Sequence, residues 1–190
     1  MVLRQRTLPS GFTLPSIHSL HPFFTQQPNP TTQATQTATW TRLILAYARH
    51  TRLFTLRVED AELKTGPWAD VFTNPEIGRT LQASYLESIL GTMVAQGKAT
   101  WEPPRQTRSV LLLWRSVDEW AETLFEWASN TGQLNTIMTY YEIQEPELPS
   151  ELSGIPTPLL RRAIAALIKS GRAQTIDGAE GGGVRLFARS

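Results

Sequence analysis

Residues 86–113, LESILGTMVAQGKATWEPPRQTRSVLLL, are answered 74 positions later by residues 160–187, LRRAIAALIKSGRAQTIDGAEGGGVRLF. Gly97-Lys98-Ala99 falls on Gly171-Arg172-Ala173, Met93-Val94 on Leu167-Ile168, and Val110 and Leu112 on Val184 and Leu186. A second correspondence, at an offset of 80, sets Trp40 on Trp120 and Tyr47-Ala48 on Trp127-Ala128. Agreements in one order, separated by a six-residue difference in a loop, are the mark of an internal duplication. The chain reads as two copies of one small domain, and a duplicated module suggests a scaffold before it suggests an enzyme.

Each copy yields its elements in the same order. In the first, Trp40, Leu43, Ile44 and Tyr47 recur at helical spacing, which predicts a helix over 33–50. Phe54 to Val58 alternates as a short strand, and residues 60–78 read as a loop and a short helix around Trp68, Val71 and Phe72. Leu86, Leu90, Met93 and Val94 form the buried stripe of a helix over 82–96, with Gly97 as its left-handed cap. A hairpin follows, 99–102 and 110–114.

In the second copy Ser116-Val-Asp-Glu119 is a capping box that opens a helix to Asn130. Residues 134–143 are expected as a strand and 157–170 as a helix with the stripe Leu160, Ile164, Leu167 and Ile168, capped by Gly171. Strands 173–176 and 184–187 flank a Gly-rich turn, 178–183. Helix, strand, helix, helix and hairpin is the order of a winged helix. The expected fold is α+β, mainly α: an arm over 1–31 and two tandem winged-helix domains over 32–115 and 116–190.

The arm is rich in Pro, Thr, Ser and Gln, and Pro9, Pro15, Pro22, Pro28 and Pro30 break regular elements. It also holds Leu14, Ile17, Leu20, Phe23 and Phe24, more apolar surface than a disordered tail carries. It is expected to be extended, with residues 1–13 flexible and dispensable. Its rings pack either on the chain's own first domain or in a partner's groove; partner docking is the preferred reading.

Composition excludes several chemistries. The chain has no Cys, so disulfides and thiolate metal sites are ruled out. No stretch approaches the length of a membrane span, so the protein reads as soluble. Residues 33–115 carry 10 basic and 7 acidic side chains and residues 116–190 carry 6 and 10, a poor balance for clamping a phosphate backbone. The helix that would read DNA in the first copy has no basic residue, whereas the second has Arg161, Arg162, Lys169 and Arg172. A tandem winged-helix transcription regulator is therefore the weaker alternative. The Gly-rich run lacks a phosphate-loop ending, and His18 and His21 lack a third ligand. Asp118, Glu119, Glu122 and Glu126 read as a solvated helix face. No catalytic residue, cofactor or metal is expected.

Pro22-Phe-Phe-Thr-x-Gln-Pro-Asn29, Leu112-Leu-Trp-Arg-Ser-Val-Asp-Glu-Trp120, Trp127-x-x-x-x-Gly132-Gln-Leu-Asn135, Thr139-Tyr-Tyr-Glu142 and Gly182-Gly-Val-Arg-Leu-Phe187 occur in one order. Together they resemble the vacuolar protein sorting-associated protein 25 family, a subunit of the endosomal sorting complex ESCRT-II. The resemblance implies a non-enzymatic scaffold. Its arm and first domain would dock on the two sister subunits, vacuolar protein sorting proteins 22 and 36. Its second domain would recruit and activate an ESCRT-III subunit, vacuolar protein sorting protein 20, for sorting ubiquitinated cargo into multivesicular bodies. It also implies a cytoplasmic protein recruited to the endosomal membrane, and any membrane contact would be indirect.

The family's docking motif, Pro-Pro-x-aromatic, falls on His21, Pro22, Phe23 and Phe24, with His21 in place of the first proline. An earlier copy falls on Leu14, Pro15, Ser16 and Ile17 and has lost its aromatic ring. Pro22, Phe23, Phe24, Pro15 and Ile17 are thus the candidate contacts with the sister subunits. Arg161, Arg162 and Lys169, chosen for an exposed basic face, are the candidates for the ESCRT-III subunit.

Overall fold

A computed structural model describes residues 5–176 and 182–188; the greater part of the expected Gly-rich turn lies outside them. The structure is mixed helix and sheet, and the chain divides into two compact units, Met1–Trp114 and Arg115–Ser190.

Unit 1 begins with a two-stranded ladder, β1 (Arg6–Thr7) against β2 (Thr13–Leu14). The turns Ser16–Ser19 and His21–Phe24 are 3-10 helical. The arm is therefore folded where an extended segment was expected. Within the described part of 1–13, Leu8 is buried in the core and Phe12 packs against it, so this stretch is anchored to the unit. The cause is its own apolar content: rings and aliphatic chains in a short segment next to a helix bury themselves on that helix.

α1 (Pro30–Thr51) starts three residues earlier than its apolar periodicity suggested. Asn29 accepts from the backbone N–H groups of Thr31 and Thr32, and Pro30 occupies the first turn, where no N–H is needed. β3 (Thr55–Arg57) leads through a 3-10 turn, Val58–Ala61, to α2 (Ala69–Phe72). A small hairpin follows, β4 (Thr73–Asn74) with β5 (Arg79–Thr80), across the end of the stretch 60–78 expected as a loop and a short helix. α3 (Ala83–Ala95), β6 (Ala99–Trp101) and β7 (Ser109–Leu112) complete the unit.

Unit 2 opens with α4 (Val117–Asn130), where Ser116 Oγ accepts from Glu119 N and Glu119 Oε2 accepts from Ser116 N. β8 is shorter than its expected strand, Ile137–Thr139, because the chain turns directly into α5 (Tyr140–Gln144). A second capping box drives the switch: Thr139 Oγ1 accepts from Glu142 N, and Glu142 accepts from Thr139 N. α6 (Thr157–Lys169), β9 (Ala173–Ile176) and β10 (Gly183–Leu186) follow. Leu160, Ile164 and Leu167 are buried as their stripe predicts, but Ile168 is 39% exposed and Leu159 and Ala163 take its place inward.

The duplication is reproduced in hydrogen-bond register. The sheets run β3-β7-β6 and β8-β10-β9. Ala99 faces Leu112 and Trp101 faces Val110; 74 residues on, Ala173 faces Leu186 and Thr175 faces Val184. Leu56 faces Val110 as Met138 faces Val184, an offset of 82 on the first strand of each set. Gly97 and Gly171 have φ of 68° and 72°, and the next residues, Lys98 and Arg172, donate to Met93 O and Leu167 O at 2.9 and 2.8 Å. Both are left-handed helix caps, a conformation that strains any residue with a Cβ.

Candidate functional site

The first candidate site is the arm, and its geometry follows from one helix. α1 presents Gln36 and Trp40 one turn apart. Gln36 Nε2 donates to Pro22 O at 2.9 Å and Trp40 Nε1 donates to Phe23 O at 3.0 Å. These two side chains hold the turn His21–Phe24 by its backbone carbonyls and aim its two rings inward. Phe23 stacks on Trp40 with centroids 4.2 Å apart and planes 7° from parallel. Phe24 meets His18, Phe23 and Trp40 edge-on at 5.0, 5.9 and 5.6 Å.

Phe23 and Phe24 are 1% and 3% exposed, buried in their own unit. Both rings take the competing packing, onto the chain's own first unit. Trp40 is a flat apolar surface one helix away, reached without the entropy cost of recruiting another chain. Pro22 lies exposed on the outside of the same turn, beside exposed His21, while Pro15 and Ile17 are half-buried.

His18, which sequence reasoning had weighed only as a metal ligand, holds the cluster together. It is 2% exposed. Its Nε2 is 2.7 Å from Val71 O, which can only accept, so Nε2 carries the proton. Nδ1 accepts from Asn74 Nδ2 at 3.4 Å, and the same amide donates to His18 O at 2.9 Å. Burial lowers the imidazole pKa below its ordinary 6.5, Val71 O opposing and the Arg6 charge adding to the effect. The ring is a neutral strut between the arm and α2. Beside it a cavity of about 160 Å³ is lined by Arg6, Leu14, Pro15, Asn74 and Glu76.

The second candidate site is α6. Arg161 and Lys169 are exposed, and Arg162 is half-buried. The Arg161 guanidinium sits 5.7 Å from the centroid of the Tyr140 ring. Arg172, which shares their sequence face, is engaged: its guanidinium donates from both terminal nitrogens to the Glu122 carboxylate, at 2.9 and 2.5 Å. With Arg161, Ala165, Ile168 and Lys169 exposed, the outer face of α6 is mixed apolar and basic. No group of three His, Cys, Asp or Glu suited to a metal occurs among the described residues. No helix among them is long and apolar enough to cross a membrane.

A surface that sequence reasoning missed lies in unit 2. Trp127, Ile137, Glu142, Glu145, Glu147 and Leu148 line a groove of about 480 Å³. Ile137 is 50% and Leu148 81% exposed. The available signal was the pairing of Trp127 with buried Tyr47 in a copy that has nothing to cover it.

Comparison with known proteins places the molecule. Residues 17–156 match the family model of the ESCRT-II complex subunit. Vacuolar protein-sorting-associated protein 25 of Danio rerio is 32% identical over 179 residues, 93% of this chain and 99% of the relative. The Homo sapiens protein of that name is 30% identical, covering 93% and 98%. The crystal structure of subunit VPS25 of the endosomal trafficking complex ESCRT-II aligns with a TM-score of 0.76 at 25% identity, over 91% of this chain and 98% of that one. A chain of the crystal structure of endosomal complex ESCRT-II (VPS22/VPS25/VPS36) has the same fold, with a TM-score of 0.76 at 24% identity.

Proposed function

Because the chain belongs to the ESCRT-II complex subunit family, we propose that it is a non-catalytic scaffold of that complex, built from two tandem winged-helix domains. The helix, strand, helix, helix, hairpin order, bare in unit 2 and in unit 1 interrupted by the β4–β5 hairpin before α3, supports the fold reading, as does the shared strand order of the two three-stranded sheets. The observation that carries the functional reading is the family match across residues 17–156, which takes in the second half of the arm, the rest of unit 1 and much of unit 2.

In this reading unit 1 docks on the two sister subunits, the counterparts of VPS22 and VPS36. The contact surface of the arm is its outer face: Pro22 and His21, flanked by half-buried Pro15 and Ile17. Phe23 and Phe24 act from inside, fixing the turn that presents Pro22. A pre-formed turn loses little conformational freedom on binding, so less of the contact energy is spent on ordering it. Unit 2 recruits an ESCRT-III subunit, the counterpart of vacuolar protein sorting protein 20, through the α6 face of Arg161, Arg162 and Lys169. Two such subunits in one complex would raise the effective concentration of that component. The setting is the cytoplasm and the endosomal surface, with membrane contact made by other subunits, in sorting ubiquitinated cargo to multivesicular bodies.

The test is size-exclusion chromatography with light scattering on the chain mixed with its two sister subunits. Wild type is expected to form a larger complex that Pro22→Asp weakens, with the variant's own fold unchanged because Pro22 is exposed. Absence of any complex refutes the scaffold role; a complex indifferent to Pro22→Asp refutes the arm's part in it.

A further inference from the structure

The duplication allows the two units to be compared position by position, and the groove in unit 2 has a counterpart in unit 1. Trp127 corresponds to Tyr47, Ile137 to Thr55, and Glu142 to Asp60. The equivalence extends to hydrogen bonds: Asp60 Oδ2 accepts from Arg57 N at 2.8 Å, and Glu142 Oε2 from Thr139 N at 2.7 Å. The walls are the same construction.

In unit 1 that place is filled from within. Trp68 is 2% exposed, its ring 5.5 Å from Tyr47 and 5.6 Å from Phe72. Its Nε1 donates to Thr55 O at 3.2 Å, and Pro67 O accepts from the Tyr47 hydroxyl at 2.9 Å. In unit 2 the offset falls from 82 at the first strand to 74 at the third helix, so the connection is eight residues shorter. Residues 145–156, EPELPSELSGIP, contain no aromatic residue. Trp127 stays half-buried, Ile137 is half-exposed, and Leu148 stands 81% out of the groove it borders. The rim carries Glu142, Glu145 and Glu147, and the described lining residues include no cation.

We propose that this groove docks a partner segment bearing a tryptophan flanked by lysine or arginine. The tryptophan ring lies on Trp127 and its N–H meets the Ile137 carbonyl, as Trp68 meets Thr55 in unit 1. The cations lie against Glu142, Glu145 and Glu147. The carboxylates select basic flanks and repel acidic ones, and an indole seated on an indole supplies the buried anchor. The surface shares no lining residue with the basic face of α6, and the inference does not depend on the ESCRT-II assignment.

The probe is a synthetic capped peptide, Lys-Lys-Gly-Pro-Trp-Ala-Lys-Lys, titrated into the full ¹⁵N-labelled chain. Saturable binding is expected, with chemical-shift changes concentrated on the Trp127 indole N–H and on residues 137 and 142–148. Affinity should fall about tenfold or more when the peptide's tryptophan is replaced by alanine, and as much in a Glu145→Lys/Glu147→Lys chain. Both substituted positions are exposed, so the amide spectrum of the variant should otherwise match wild type. Equal binding of the alanine peptide, indifference to the charge reversal, shifts outside the groove, or no saturation at millimolar peptide each overturn the proposal. Self-association of the chain that disappears in the charge-reversal variant overturns it too, by assigning the groove to a second copy.

Discussion

Replacing Phe23 by alanine separates the two possible lives of the arm. The ring is 1% exposed and lies 4.2 Å from Trp40, nearly coplanar with it, with Phe24 and His18 closing its edges. Removing it takes away the transfer energy of an aromatic side chain and leaves a cavity between rigid neighbours, an expected loss of about 3–5 kcal/mol from unit 1. Phe23→Leu keeps most of the volume and loses the flat stack, and is expected to cost about 1 kcal/mol. Pro22→Ala, one residue away on the exposed side, should stay within about 0.5 kcal/mol of wild type. The assay is urea unfolding of the isolated chain, with tryptophan fluorescence and amide spectra reporting which unit melts. If Phe23→Ala were as stable as Pro22→Ala, the ring would not be in the core in solution. The reasoning that reassigns it from a partner's groove to its own would then be wrong.

Two further expectations concern single residues. His18 is buried neutral with its pKa below 6.5, so the unfolded chain takes up a proton before the folded one does. Stability is full above pH 6.5 and falls as pH drops toward the folded-state pKa, by at most about 1.4 kcal/mol per pH unit. Denaturation midpoints at pH 7.5 and 5.5 should differ in wild type, and that difference should shrink in His18→Gln. Gly97→Ala and Gly171→Ala test the duplication: φ is 68° and 72°, and a Cβ at either position would meet nothing within 4 Å. The cost is therefore purely conformational, about 1–2 kcal/mol, and should be nearly equal at the two sites by thermal unfolding.

Sequence alone determined the repeat, the order of the long elements and the chain's family resemblance. These rest on local signals: 3.6-residue apolar spacing, the Ser116–Glu119 capping box, and glycines where helices need left-handed caps. It also marked the arm as more apolar than a tail. What it left open was where that apolar surface goes, because a proline-broken segment has no periodicity to point its side chains. Gln36 and Trp40 of α1 decided that by holding the carbonyls of Pro22 and Phe23, and so turned two expected anchors into core. The same limit hid the role of His18, whose partners Val71 and Asn74 lie 53 and 56 residues away. The miss at α5 has another cause: the local capping box Thr139–Glu142 was legible in the sequence, but it ended a strand that alternation alone would have continued. The groove beside Trp127 emerges only when both copies are seen folded. Whether an aromatic wall is covered depends on Trp68, which reaches it from a connection that is eight residues longer in the first copy than in the second.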